Sequence, residues 1–222
     1  MLRIYLGRHG QTENNLKHLF NGGSVDTPLT AKGVADAQAM GRMLANINFA
    51  KVVTSAMPRA ITTAKLALAE SHFNSANDIV TDPRLNEMNL GDWDGVAIDA
   101  LTDATQMDNY AHHPDKFDGK AIHGESYYDI VKRSTQAMAE MTAGMTTGNI
   151  LIVSHGILLT FMANALLGND ISVGRQRHLL KNASVSVLTK ENDQYTELAF
   201  SVLPETLAND PELAQQVFRQ AR

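Results

Sequence analysis

Two arginines and two histidines, Arg8, His9, Arg59 and His155, each come soon after a short apolar run of the sequence. An arginine guanidinium binds the oxygens of a phosphate group through paired hydrogen bonds. A neutral imidazole can attack phosphorus and become phosphohistidine. Flanking arginines would lower the pKa of such a histidine and stabilise charge on the phosphate oxygens during transfer. These residue types predict a site for a phosphate monoester.

The leaving alkoxide of such a reaction needs a proton, so an acid should lie near the histidines. The candidates are Glu87, in the segment RLNEMNLGDWDG, and Glu125, in the segment HGES. Gly156 would let the backbone beside the second histidine come close to a ligand. Gly22 could do the same, or it could only form a turn.

Strands that alternate with helices must position these side chains. Apolar runs predict strands at Leu2–Leu6, Lys51–Thr54 and Ile150–Val153, and helices are predicted after a Thr30 cap and from a first turn near Pro58. This alternation predicts an α/β fold with a largely parallel sheet. Ligands bind at the carboxyl ends of the strands of such sheets, so the arginines and histidines should converge there. The helix N-termini that follow should add N–H donors for an anion.

Residues 82–130 interrupt the alternation and are predicted to form an insertion of loops and short helices over the site, lining part of the substrate cleft. Tyr127 or Tyr128 could contribute specificity there. Farther along, SVSVLTKENDQYTELAFSVL predicts a terminal hairpin, and Asp210 is expected to cap a short C-terminal helix. The length of 222 residues fits one domain, 1–222.

Composition excludes several classes of function. The chain has no cysteine, which rules out disulfides, thiolate nucleophiles and cysteine-bound zinc. A formal net charge of −5 argues against a nucleic-acid partner. No apolar run reaches the roughly 20 residues that span a bilayer, and the N-terminus lacks a signal-peptide pattern, so a cytoplasmic protein without a membrane partner is expected. His112 and His113 are adjacent and lack the spacing of metal ligands, so no metal site is predicted.

Five segments, in order, resemble the histidine phosphatase superfamily, which includes the cofactor-dependent phosphoglycerate mutases. They are RHGQTENN, FNGGSVDTPLTAKGVADAQA, SAMPRAITTA, LNEMNLGDWDG and IVSHG. The resemblance implies a three-layer α/β/α sandwich with a mixed, mostly parallel central sheet flanked by helices, and it implies no metal. It makes His9 the phosphorylated nucleophile and Glu87 the proton donor, and Glu125 is then expected to be structural. The phosphoryl group would be held by Arg8, Arg59 and His155, with Asn15 lining the same pocket.

The resemblance leaves phosphatase and mutase activities open. Glycolytic mutases carry a basic R-x-Y-G-x-L stretch after the catalytic glutamate, whereas this chain has the acidic MNLGDWDGVAID. Hydrolysis of a small phosphorylated metabolite is therefore favoured, by a monomer or a homodimer. A phosphoglycerate mutase, which would need 2,3-bisphosphoglycerate, is the alternative. A non-catalytic phospho-ligand binding module is disfavoured, because every expected catalytic residue type is present.

Overall fold

A mixed six-stranded sheet forms the centre of the protein, in a computed structural model that describes residues 1–218. The strands are β1 (Leu2–Arg8), β2 (Lys51–Thr54), β3 (Ile79–Thr81), β4 (Gly148–Ser154), β5 (Val185–Glu191) and β6 (Gln194–Val202), in the order β3-β2-β4-β1-β5-β6. Strands β1 to β4 run parallel, whereas β5 is antiparallel to β1 and β6 to β5. The mixed, mostly parallel sheet that the resemblance implied is confirmed.

Helices cover both faces of the sheet. They are α1 (Glu13–Leu16), α2 (Ala31–Leu44), α3 (Pro58–Leu68), α4 (Ala104–His112), α5 (Tyr127–Thr142), α6 (Gly156–Leu166), α7 (Pro204–Ala208) and α8 (Pro211–Val217). The predicted helix starts are confirmed: Thr30 caps α2, Pro58 opens α3 and Asp210 caps α8. The predicted domain end at residue 222 lies outside the described residues. None of the helices in residues 1–218 is long and apolar enough to cross a membrane.

Alternating side chains of the strands build the two main cores. In β1, Tyr5 packs with α2 and α3, whereas Ile4 and Leu6 point to the opposite face and pack with α5 and α6. In β4, Leu151 joins the first core and Ile152 the second. Each fully buried side chain of this size contributes about 1.5–3 kcal/mol through the hydrophobic effect. Because successive side chains of a strand point to opposite faces, the sheet is covered by helices on both faces, which confirms the three-layer architecture.

A lid replaces regular structure between β3 and α5. It holds short 3-10 turns at Pro83–Leu85, Gly91–Trp93, Ile98–Ala100 and Gly119–Ile122, together with α4. A third core, rich in aromatic rings, packs the lid onto α5 and α6 through residues such as Trp93, Phe117, Tyr127 and Phe161. The predicted end of the insertion at residue 130 is too late. Ser126 caps α5 through a capping box, so the flanking helix already begins at Tyr127.

The sequence predicts the strands at one edge of the sheet but not the strand at the other edge. The terminal hairpin is confirmed, and Asn192 and Asp193 close it with φ angles of 48° and 62°, which asparagine and aspartate tolerate. Strand β3 was not predicted. It is three residues long and lies at the edge, where Val80 is 63% exposed, so it carries no buried alternation.

The loop after β1 and the first turn of α2 touch backbone to backbone. A Cβ added to Gly33 would overlap the carbonyl oxygen of Gln11, and a Cβ added to Gly10 would overlap the carbonyl oxygen of Gly33. Glycine at both positions lets α2 press the loop that carries His9 against the end of the sheet. Only glycine gives this close approach.

Gly33→Ala should therefore destabilise the protein, although alanine is the better helix former by about 1 kcal/mol. The overlap is with backbone atoms that cannot move aside, so forcing a methyl group into this contact costs about 2–3 kcal/mol, and the net loss is about 1–2 kcal/mol. We expect the Tm in thermal unfolding to fall by about 2–8 °C. Lys32→Ala, on the exposed side of the same turn, is the control and should change the Tm by less than this. A Tm of Gly33→Ala equal to or above that of wild type would contradict the close contact.

Candidate active site

His9 lies just beyond the end of β1, and its backbone N–H donates to the carbonyl oxygen of Ser154 on β4 at 2.9 Å. Its ring Nδ1 is 2.7 Å from the carbonyl oxygen of Gly10. Because a carbonyl only accepts, Nδ1 carries the proton and Nε2 keeps its lone pair. Burial, together with the charges of Arg59 and Arg8, holds the pKa of His9 well below its ordinary value. His9 is therefore a neutral imidazole with a free nucleophilic nitrogen.

Arg8, the last residue of β1, points its guanidinium into the cleft beside His9. One terminal nitrogen donates to the carbonyl oxygen of Leu180 at 2.6 Å, while the buried Nε has no partner within residues 1–218. The side chain lies on Gly156, where an added Cβ would be 3.0 Å from the guanidinium carbon. A buried N–H without an acceptor is costly, so this group is disposed to bind an anion.

Arg59, at the start of α3, is 1% exposed and is held on every side. A guanidinium has five N–H donors, and here they meet five acceptors at 2.7–3.2 Å. The acceptors are His155 Nδ1, the Asp26 carboxylate and the backbone carbonyls of Asn21, Gly22 and Val25. Direct contact with a ligand would require Arg59 to exchange one of these hydrogen bonds.

His155 occupies the N-cap position of α6 and is fully buried behind His9, with the two ring centroids 5.1 Å apart. Because Nδ1 accepts from Arg59, Nε2 carries the proton and donates to Ser55 Oγ at 2.7 Å. The Ser55 hydroxyl in turn donates a hydrogen bond to Asn86 Oδ1 at 2.9 Å. Burial and the charge of Arg59 hold the pKa of His155 well below its ordinary value. Phosphate binding by His155 stays a prediction, because both ring nitrogens are engaged with protein groups.

The Glu87 carboxylate sits on the N-terminus of α6. Oε2 accepts from the N–H of Ile157, and Oε1 accepts from the N–H groups of Leu158 and Met88, all at 3.0 Å. The sequence predicted that such helix N–H groups would serve an incoming anion. In this helix, those of Ile157 and Leu158 bind the protein's own carboxylate. A carboxylate offers about four lone pairs, and three of them accept the hydrogen bonds just described. The remaining lone pair is on Oε2, so Oε2 is the atom that can carry a transferable proton.

Arg133 on α5 clamps the segment that carries Glu87. It donates to the carbonyl oxygens of Arg84 and Asn86, both at 2.7 Å, and to that of Glu87 at 3.1 Å. Glu125 fixes the clamp by accepting from Arg133 Nε and Nη2 at 2.8 and 2.9 Å. Glu125 is therefore a structural residue that acts through Arg133, as the sequence led us to expect.

A cleft of about 340 Å³ opens above His9. Of the predicted site residues, it is lined by Arg8, His9, Asn15, Gly22, Glu87 and Gly156, whereas Arg59 and His155 lie behind it. Asn15 accepts hydrogen bonds from Thr12 and Asn182 through Oδ1, which leaves its amide NH2 for a ligand. The N–H of Gly22 donates to Asp94 at 2.8 Å, so Gly22 contributes shape to the cleft and no free donor.

Two residues of the outer cleft, Tyr110 and Arg175, were not predicted. Arg175 stands in the cluster GRQRH, and a run of cations in a loop was the one signal that could have drawn attention to it. Tyr127, suggested as a specificity residue, is fully buried behind Arg175, and Tyr128 is exposed on α5. Within residues 1–218, no group of three histidine, aspartate or glutamate side chains is arranged to hold a metal ion.

We predict that His9 and His155 stay neutral in the native protein as the pH falls through about 6.5, where histidines ordinarily titrate. Imidazole NMR signals, assigned with His9→Asn and His155→Asn, should show no titration there. The unfolded chain does bind protons in this range, so the free energy of unfolding should fall as the pH drops below about 6.5. Titration of either ring near pH 6.5 in the native protein would contradict the neutral assignment.

Comparison with known proteins agrees with this arrangement. Residues 4–202 match the histidine phosphatase superfamily (branch 1). A protein of Escherichia fergusonii named "Probable phosphoglycerate mutase GpmB" is 31% identical over 196 residues, which cover 88% of each chain. The alpha-ribazole phosphatase of Shigella flexneri superposes with a TM-score of 0.77 at 27% identity, covering 90% of this chain and 96% of that one. A mycobacterial glucosyl-3-phosphoglycerate phosphatase superposes with a TM-score of 0.79 at 26% identity, covering 90% of this chain and 98% of that one.

The sequence match spans nearly the whole chain, and the superposed structures share its fold. The strand-end arginine and histidine pair and the second histidine before α6 both fall within the matched residues. The chain belongs to the histidine phosphatase superfamily.

Proposed function

We propose that the protein is a metal-independent phosphatase that hydrolyses a small phosphomonoester through a phosphohistidine at His9. The observation that carries this proposal is the neutral His9 ring, whose free Nε2 lies in one cleft with the unpartnered Nε of Arg8 and the carboxyl group of Glu87. A nucleophile, an anion-binding donor and an acid are the three parts that phosphoryl transfer needs.

The first step transfers the phosphoryl group to the protein. His9 Nε2 attacks phosphorus, and the bond from phosphorus to the ester oxygen breaks with its electron pair on that oxygen. The Glu87 carboxylate takes up a proton on Oε2 when the anionic substrate binds, and this proton passes to the leaving oxygen and releases the alcohol. Arg8 binds the equatorial phosphate oxygens, where negative charge must be held in the transition state.

The second step restores the protein. Water attacks the phosphorus of phosphohistidine, and the Glu87 carboxylate takes the proton of that water. The bond from phosphorus to Nε2 breaks, and His9 returns to the neutral imidazole as inorganic phosphate leaves. One carboxyl group thus acts first as general acid and then as general base.

Phosphoglycerate mutase activity is the second candidate, since the relative from Escherichia fergusonii carries that name. A mutase would need 2,3-bisphosphoglycerate and would have to return the phosphoryl group to the substrate. Hydrolysis is supported by two structural neighbours called phosphatases and by the acidic segment after Glu87. In that segment Asp94 accepts hydrogen bonds from the backbone N–H groups of Gly22 and Ser24, so it supports the part of the cleft wall that Gly22 forms.

The wild-type protein should hydrolyse p-nitrophenyl phosphate in the presence of EDTA. His9→Asn removes the nucleophile and should lower kcat at least about a thousandfold. Base quenching followed by peptide mass spectrometry should find a phosphoryl group on the peptide that contains His9. His112→Asn is the matched control, because His112 is exposed and bonded to Asp108 outside the cleft.

Two outcomes would overturn this assignment. Folded wild-type protein without turnover in EDTA, or His9→Asn with wild-type turnover, would rule out the metal-free phosphohistidine route. With 3-phosphoglycerate and 2,3-bisphosphoglycerate present, isomerisation that outpaces phosphate release would establish the mutase instead.

Replacement of the proton donor should depend on the leaving group. Glu87→Gln cannot supply a proton, so we expect kcat/KM for phenyl phosphate to fall by about a hundredfold or more. p-Nitrophenolate leaves without protonation, so the loss on p-nitrophenyl phosphate should be much smaller. Steady-state kinetics on the two esters measure the difference, and equal losses would assign Glu87 a structural role instead of acid catalysis.

A further inference from the structure

Arg175 places a cation on the outer wall of the cleft, away from the proposed chemistry. It lies in the loop that follows the 3-10 turn Ile171–Val173. Its guanidinium stacks on the ring of Tyr110, 4.6 Å from the centroid. Nη2 and Nε donate to the hydroxyl of Tyr127 at 2.7 and 3.2 Å. The side chain is thus oriented in advance, which lowers the entropic cost of binding a ligand.

The charge of Arg175 has no counterpart in the part of the chain that the structure describes. Other arginines of the protein contact carboxylates, as in the pairs Arg59–Asp26, Arg84–Asp82, Arg133–Glu125 and Arg177–Glu197. No aspartate or glutamate of residues 1–218 forms such a pair with Arg175. Burial raises the pKa of Tyr110 and Tyr127, so both hydroxyls are neutral. Partly buried charges are normally paired, so the missing partner points to a ligand.

Arg8 is the other arginine that lines this cleft without a carboxylate partner, and it faces the position proposed for the transferred phosphoryl group. The wall that accompanies Arg175 is mostly apolar. Its apolar side chains include those of Leu19, Phe20, Leu90, Ile98, Met107 and Leu179, and the polar residues Asn21 and Tyr110 line the same cleft. The apolar side chains offer no hydrogen bonds to the hydroxyl groups of a sugar, and they favour an apolar segment of the substrate.

We propose that Arg175 binds a second anionic group of the substrate. The natural substrate is then a phosphomonoester in which an apolar segment separates the transferred phosphate from a carboxylate or a second phosphate. This inference rests on the proposed phosphatase function and adds the class of substrate. Arg175 is a specificity-determining residue, and it takes no part in the bond-making steps.

Phenyl phosphates with different para substituents test the proposal. The anionic esters are para-carboxyl, para-carboxyethyl and para-phosphonomethyl phenyl phosphate, which hold their anion at different distances from the ring. Comparison of the phosphonate with the two carboxylates shows which kind of anion Arg175 prefers. Para-carbamoylphenyl phosphate is the uncharged reference. At least one anionic ester should exceed the amide in kcat/KM by about tenfold in the wild type, the effect of one charge-assisted hydrogen bond.

Arg175→Met should abolish that preference, and Arg175→Lys should keep part of it. The ratio of anionic to neutral ester is compared between proteins, so differences in leaving group cancel. Arg177→Met is the matched control, because Arg177 lies on the same loop but pairs with Glu197 outside the cleft. Its ratio should equal that of the wild type.

Failure of this inference can be told from failure of the proposed function. Wild-type protein that hydrolyses p-nitrophenyl phosphate but prefers no anionic ester, or an anion preference that survives in Arg175→Met, would overturn the role of Arg175 alone. Absence of turnover on every ester would overturn the phosphatase assignment, and with it this extension.

Discussion

The site depends on the burial of one guanidinium. Arg59 has lost its water, and its five N–H groups must all find acceptors inside the protein. It finds them in the loop Asn21–Asp26 and in His155, which belong to parts of the chain far apart in sequence. Because removing one acceptor would strand a buried donor, these parts are held in a single arrangement around His9.

Electrostatic balance within this arrangement sets the state of each group. Burial, together with the charges of Arg59 and Arg8, lowers the pKa of His9 and keeps its ring neutral, and the negative charge of Glu87 opposes the effect of burial on both arginines. The carboxylate in turn is stabilised by backbone N–H groups at the start of α6. Arg59 pairs with Asp26, whereas Arg8, which lines the cleft, forms no ion pair within residues 1–218 and keeps its charge available to an anion.

Much of this site follows from the sequence, because parallel strands bring their carboxyl ends to one edge and the motifs stand at those ends. Arg8 and His9 were placed in this way. The bonds from Glu87 to Ile157 and Leu158 were not foreseen, since no local pattern connects a loop to a helix 70 residues away. Strand β3 has too few residues to show a period, and the surroundings of Arg175 exist only after the lid has packed.

The attachment of Glu87 to α6 also fixes the acid independently of the rest of the lid. Although Glu87 lies in the lid segment, its carboxylate accepts hydrogen bonds from the N-terminus of α6, and Arg133 holds its backbone. The acid is therefore fixed to the helices that flank the sheet. The rest of the lid packs on α5 and α6 through the aromatic core. A different packing of Ile98, Met107 and Tyr110 would change the width of the cleft, while the acid and the nucleophile keep their relative positions. The reacting groups therefore need no assembly when a substrate arrives.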